Sequence, residues 1–105
     1  MIYSLRFLPE IAEDVIAGYA WYEAKSKGLG EEFLRIFYAC SGEIPQNPLL
    51  YPKVYSDFRR RLLRRFPYAV YFMIEGDQVI VLGLFHCARD PHTIESLLRN
   101  REDRP

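Results

Sequence analysis

The feature that most constrains the fold is the apolar run from Val79 to Phe85, which is followed directly by His86. The run is far too short to cross a membrane, and it is typical of a strand covered on both faces. Residues 69–74 are similarly apolar, and the turn sequence EGDQ at 75–78 joins the two segments as a tight hairpin. The sequence therefore predicts a sheet in which this strand is covered on both faces.

The first half of the chain has the pattern of one strand followed by two helices. Residues 2–8 alternate imperfectly as a strand, and Pro9 stands where a helix can begin. Apolar side chains at helical spacing then predict helices over 9–25 and 30–44. The connection between them, KSKGLG at 25–30, is short. We therefore expect the two helices to form an antiparallel hairpin.

The second half has the pattern of three consecutive strands and a short helix. Residues 47–57 are interpreted as an irregular crossover, and the apolar period changes to two from Phe58 onward. After the last strand, Asp90 can cap a C-terminal helix that Pro91 opens. Residues 99–105 are expected to be frayed.

This order of elements predicts a single α+β domain over residues 1–105. It consists of an N-terminal strand, an antiparallel helical hairpin, a three-stranded antiparallel meander that completes one mostly antiparallel sheet, and a short C-terminal helix. The hairpin is expected to cover one face of the sheet and to leave the other face partly open.

Positive charge is concentrated in the second half of the chain, although the formal net charge of the whole chain is zero. Five arginines fall within the seven residues 59–65, and strand parity places Arg59, Arg61 and Arg65 together on the face opposite Phe58. Guanidinium groups bind phosphates or carboxylates through a rigid fork, so these three side chains are candidates to line the open face. The alternative is a solvated strand face with some contacts to a protein partner.

Two further candidates follow the buried strand. His86 can serve as an acid or base near neutral pH, or it can be a partly buried histidine bonded to the backbone. Arg89 can stabilise a phosphate or contact a target; alternatively, it can pair with Asp90 or cap a nearby helix end. His92 is interpreted as a surface residue at the start of the last helix.

The aromatic residues Tyr19, Trp21 and Tyr22 on the first helix have two interpretations. Gly18 and Tyr22 lie on the apolar stripe of that helix, which favours core packing over a partner-binding patch.

Cysteine content and the N-terminal sequence exclude several classes. Cys40 and Cys87 lie in separate segments without neighbouring ligands, so neither a metal site nor a disulfide scaffold is expected, and both are predicted to be reduced core residues. The sequence shows neither a signal peptide nor a segment long enough to span a membrane. A cytoplasmic protein without a cofactor is therefore the expectation.

The layout and several local sequences resemble the RelE/ParE superfamily of bacterial type II toxins, closer to its ParE (plasmid stabilisation) branch. The matching residues, in chain order, are Phe7 with Pro9, Trp21-Tyr22-Glu23, Gly28-Leu29-Gly30 before Phe33, Asn47-Pro48, Tyr51-Pro52, Arg59-Arg60, Phe66-Pro67-Tyr68, and His86 with Arg89-Asp90-Pro91. The resemblance spans nearly the whole chain.

The resemblance implies a growth-arresting toxin held in a hetero-oligomer by a cognate antitoxin. ParE-like members poison DNA gyrase, which is not an enzymatic activity of the toxin, whereas RelE-like members cleave mRNA on the ribosome. A degenerate toxin that only binds its antitoxin is a third reading. The residues expected to contact target or antitoxin are Arg59, Arg61, Arg65, His86 and Arg89.

In the nuclease alternative, the catalytic residues would be Arg59, Arg61, His86 and Arg89, with His92 as a further candidate. RelE-like nucleases typically carry a tyrosine or its equivalent near the C-terminus, and this chain has no tyrosine after Tyr71. Because arginines alone stabilise charge but move protons poorly, this departure favours the ParE-like reading.

Overall fold

The structure is a computed structural model that describes residues 2–102. Its elements in chain order are β1 (Ser4–Phe7), α1 (Ile11–Lys25), α2 (Leu29–Glu43), two 3-10 turns (Ile44–Gln46 and Pro48–Leu50), β2 (Lys53–Tyr55), β3 (Phe58–Leu62), β4 (Tyr68–Glu75), β5 (Gln78–His86) and α3 (Pro91–Glu102). The predicted α+β class is confirmed. Within the described residues, no helix has both the length and the apolar character needed to span a bilayer.

The five strands form one sheet in the order β1-β5-β4-β3-β2. β1 runs parallel to β5, and the other neighbours are antiparallel. β5 lies between β1 and β4, so it has a strand on each side over its first half. Helices cover both of its faces, which explains its apolar sequence. The tight turn between β4 and β5 contains Gly76 at φ 61°, a backbone conformation that favours glycine.

Two hydrophobic cores cover the two faces of the sheet. The first lies under the hairpin of α1 and α2 and includes Phe33, Phe37, Val70, Phe72 and Val81. The second lies under α3 and includes Phe58, Tyr71, Leu82, Phe85, Ile94 and Leu98. Each fully buried side chain of this size contributes about 2 kcal/mol of transfer free energy. The second face is therefore covered by α3 over this core, a cover that the sequence did not predict.

The helical hairpin depends on one close approach and one cap. A Cβ atom on Gly18 would lie 2.5 Å from the ring of Phe33, so only glycine lets α2 pack this near to α1. The Glu23 carboxylate accepts the N–H groups of Gly28 at 3.0 Å and Gly30 at 2.9 Å. An anion on these N–H groups satisfies donors that the start of α2 leaves unpaired.

The predicted boundaries fail in the region around β3. Residues 47–57, predicted as irregular, contain the second 3-10 turn (Pro48–Leu50) and the edge strand β2, which pairs with β3. β3 ends at Leu62 and does not continue to Phe66. Arg65 has φ 69°, a left-handed conformation that turns the chain toward β4. Strand parity therefore does not apply to Arg64 and Arg65.

The end of the chain also differs from its prediction. Residues 99–102 belong to α3 and are not frayed, because Arg101 makes buried contacts with α1 and β5. Residues 103–105 lie outside the described part of the chain. Cys40 is a buried thiol as predicted, but Cys87 is exposed in the turn after β5. Among residues 2–102 no group of side chains could hold a metal ion.

Candidate functional site

Arg59 and Arg61 project from β3 toward the helical hairpin. Arg61 is paired directly with Val70 of β4, and Arg59 with Phe72. Directly opposed residues project to the same face of a sheet. Val70 and Phe72 belong to the core under the hairpin. The prediction that these arginines line the open face is therefore wrong, and they lie at the border of the first core.

The position of Phe58 explains why the arginines were assigned to the wrong face of the sheet. Phe58 is 1% exposed and packs in the second core, under α3. Because both faces of the sheet are covered, an apolar residue on β3 does not identify the hairpin face. Arg60 has the parity of Phe58 and is paired with Tyr71. Burial raises the pKa of Tyr71, while the hydrogen bond from Arg60 acts in the opposite direction.

Arg61 fastens β3 to the end of α2. Its Nε donates to the carbonyl of Cys40 at 3.2 Å, and its guanidinium forms an ion pair with Glu43. The Arg61 side chain is 15% exposed, and Arg64 reaches the same carboxylate at 3.1 Å. The hydrogen bond from Arg61, together with that from Arg64, lowers the pKa of Glu43. The charge of Arg61 is thus satisfied inside the fold.

The remaining arginines of this segment are also engaged. Arg65 shares the carboxylate of Glu32 with Arg35. The hydrogen bond from Arg35 is the main reason that the pKa of Glu32 is lowered. Arg59 donates to the carbonyl of Tyr51 at 2.6 Å. We call Arg59, Arg60, Arg61, Arg64 and Arg65 the arginine cluster. Three of its members pair with carboxylates of α2.

His86 and Arg89 lie elsewhere, in a cleft of about 290 Å³ between α1 and the ends of β4 and β5. We call this site the β5-end cleft. Its lining includes the polar and aromatic side chains of Glu13, Trp21, Tyr68, His86 and Arg89. These residues come from three elements and one turn, so only the folded chain brings them together.

The imidazole of His86 is oriented by the backbone. Its Nδ1 accepts the N–H of Ala88 at 3.0 Å, which puts the proton of the neutral ring on Nε2. The ring of Tyr68 meets it edge-on, with 5.2 Å between centroids. Burial raises the pKa of the Tyr68 phenol, and the charge of Arg89 opposes that shift. His86 is thus the partly buried, backbone-bonded histidine that was one of the two sequence readings.

Arg89 is an exposed cation next to an aromatic ring. Its guanidinium carbon lies 5.1 Å from the ring centroid of Phe85. The Asp90 carboxylate accepts the N–H of Thr93 at 3.1 Å, which confirms the predicted helix cap. His92 is exposed at the second position of α3, as predicted.

Trp21 was predicted to pack in the core, but it lies at the surface of the cleft. It is 58% exposed, whereas Tyr22 packs against the first core as expected. The Nζ of Lys25 lies 4.3 Å from the Trp21 ring centroid. The helical spacing of Trp21 relative to Gly18 and Tyr22 contained the signal, since position 21 falls off the stripe that those two residues share.

Comparison with solved structures identifies the fold. A chain of the chromosomal ParDE toxin–antitoxin system from P. aeruginosa superposes with a TM-score of 0.74 at 18% identity, covering 81% of this chain and 96% of that one. A mutant of the E. coli toxin RelE in the free state superposes with a TM-score of 0.54 at 14% identity, covering 94% and 98%. No protein-family model and no curated protein matches the sequence. The chain has the fold of the RelE/ParE toxins, as the resemblance implied.

Proposed function

We propose that this chain is the toxin of a type II toxin–antitoxin system of the ParE kind. In this proposal it arrests growth by poisoning DNA gyrase, acts in the cytoplasm without a cofactor, and is neutralised in a hetero-oligomer with a cognate antitoxin. The observation that carries the proposal is the likeness to the ParDE chain, whose TM-score of 0.74 exceeds the 0.54 of the RelE toxin.

The ion pairs and hydrogen bonds that the basic residues already make within the fold favour a binding function over phosphodiester cleavage. A ribonuclease must place a base, an acid and cationic groups around one phosphate. Arg61, Arg64 and Arg65 instead share carboxylates of α2. The Nδ1 of His86 already accepts a backbone N–H. The arginine cluster and His86 therefore do not converge on a single position for a reacting phosphate.

The β5-end cleft is the surface that we assign to the protein target. Trp21 is 58% exposed, and Arg89 is exposed on the opposite side of the same cleft. Tryptophan and arginine are the side chains that most often dominate protein interfaces. Both residues therefore offer a contact surface that does not require the ion pairs of the arginine cluster to break.

The decisive experiment is a supercoiling assay with gyrase and purified, antitoxin-free protein. We expect inhibition with accumulation of cleaved DNA, and relief on addition of the cognate antitoxin. The proposal fails if gyrase activity is unchanged at a protein concentration that arrests growth in cells. If expression without the antitoxin causes no growth arrest, the degenerate, antitoxin-binding form is correct instead.

One observation favours a second candidate, the RelE-like endoribonuclease. Tyr68, His86 and Arg89 meet in the β5-end cleft, so a phenol, an imidazole and a guanidinium are available together. This arrangement supplies the tyrosine that the sequence lacks after Tyr71. Primer extension on mRNA from induced cells tests it, because discrete cuts that disappear in Tyr68→Phe would favour cleavage. Intact transcripts during growth arrest would exclude it.

A further inference from the structure

The outer edge of β5 loses its strand partner halfway along. The last paired residues are Phe7 of β1 and Val81 of β5, after which the Leu8 N–H donates to the Val81 carbonyl at 3.1 Å. β5 continues to His86. On its other side the register with β4 shifts, so that Leu82 is an extra residue in the ladder. From Leu82 onward the outer backbone groups of β5 require partners other than a strand.

Two side chains supply these partners. The Asp14 carboxylate accepts the N–H of Leu84 at 3.0 Å. Arg101 donates to the carbonyl of Leu82 at 2.7 Å. Asp14 and Arg101 also bond to each other, at 2.7 and 3.1 Å. The pair thus presents an acceptor and a donor to β5, as a neighbouring strand would.

The Asp14–Arg101 pair is shielded from water. The side chain of Arg101 is 11% exposed and that of Asp14 is 9% exposed. In each of the other ion pairs within residues 2–102, at least one side chain is 41% exposed or more. The guanidinium of Arg101 also lies 5.1 Å from the ring centroid of Phe85. Removal of one partner would leave a desolvated charge without compensation.

We propose that Asp14 and Arg101 are positioning residues for the β5-end cleft. Asp14 lines that cleft, and its hydrogen bond holds Leu84 two residues before His86. Arg101 connects the last turn of α3 to the same edge. The pair fixes the path of β5 into the turn that carries Arg89 and keeps α3 closed over the second core. The link to gyrase poisoning rests on the proposed function, whereas the structural part does not.

Amide hydrogen exchange tests the structural part directly. In Arg101→Met, we expect exchange at Leu84 and in the last turn of α3 to accelerate about tenfold or more. The NMR signals of the His86 ring should shift in the same variant. Glu95→Gln is the matched control, because it removes the exposed ion pair with Arg99 on the same helix. The proposal is overturned if Leu84 and His86 are unchanged in Arg101→Met.

Asp14→Asn separates the two roles if Arg101→Met does not fold. Its amide oxygen can still accept the Leu84 N–H, but its charge is lost. We expect protection at Leu84 to remain within about threefold of the native value and protection in the last turn of α3 to fall. Equal loss at both places would contradict the assignment of separate backbone partners.

A charge exchange distinguishes an edge cap from a simple ion pair. The double variant Asp14→Arg with Arg101→Asp restores opposite charges but leaves the Leu84 N–H without an acceptor and the Leu82 carbonyl without its donor. We expect no rescue of protection at Leu84. Recovery to the native exchange rate would show that only charge attraction matters, and would overturn the proposal.

The functional consequence is measured in the supercoiling assay. We expect folded Arg101→Met to inhibit gyrase about tenfold more weakly than the native protein, with Glu95→Gln unchanged. Undiminished inhibition by Arg101→Met would refute the positioning role. If the native protein does not inhibit gyrase but the exchange results hold, the proposed function alone is wrong.

Discussion

The arginine cluster and the β5-end cleft show how differently the fold uses its charged residues. The cluster is contiguous in sequence, yet Arg61, Arg64 and Arg65 pair with carboxylates of α2. The cleft is assembled from α1, β4, β5 and the turn that follows β5, and it leaves Trp21 and Arg89 exposed. The contiguous arginines therefore connect the sheet to α2, while residues dispersed along the chain form the exposed cleft that we propose as the target-binding surface.

The largest expected effect is on stability, from a change in the cluster. Arg61→Met removes the donor to the Cys40 carbonyl at a side chain that is 15% exposed. We expect the free energy of unfolding to fall by about 2 kcal/mol, as for loss of a hydrogen bond from a charged group. Urea denaturation measures this change. Unchanged stability would mean that the cluster is a solvated face after all.

The next effect should be on activity without a change in stability. Arg89→Ala removes an exposed guanidinium of the cleft, so we expect gyrase inhibition to weaken about tenfold, in the range of an interface residue. The melting temperature should stay within about 3 °C of the native value. If Arg61→Met and Arg89→Ala weaken gyrase inhibition equally per folded molecule, the arginine cluster and the β5-end cleft do not have the separate roles that we propose.

A smaller effect is expected from acid. The pKa values of Glu32 and Glu43 are lowered in the folded protein by hydrogen bonds from Arg35 and Arg61. Each carboxylate therefore favours folding above its ordinary pKa of 4.5, and that contribution is lost as pH falls through the lowered value. Denaturation followed as the pH is lowered from neutral through 4.5 and below should depend less on pH in Glu43→Gln.

The smallest effect is expected at Arg65. Its side chain is 64% exposed, and surface ion pairs contribute little because water screens them. Arg65→Ala should change the melting temperature by less than about 3 °C and leave gyrase inhibition unchanged. A strong loss of inhibition would move the target-binding surface from the cleft to the cluster.

Local patterns predicted the elements well where a single physical cause dominates. The apolar run of β5, the hairpin of α1 and α2, and the cap of α3 by Asp90 are all confirmed. The edge strand β2 was missed because it has only three residues. Trp21 was assigned to the core because Gly18 and Tyr22 lie on the apolar stripe of the same helix, although Trp21 itself lies beside that stripe and is exposed.

The sequence by itself determined the order of the helices and of every strand except β2, because periodicity, prolines and turn residues act over a few neighbours. The tertiary structure decided which face of β3 the arginines occupy, because both faces of the sheet are covered and parity cannot tell one from the other. It also decided that Asp14 meets Arg101, 87 residues away. Such a contact depends on where β1 stops beside β5, and no local pattern records that.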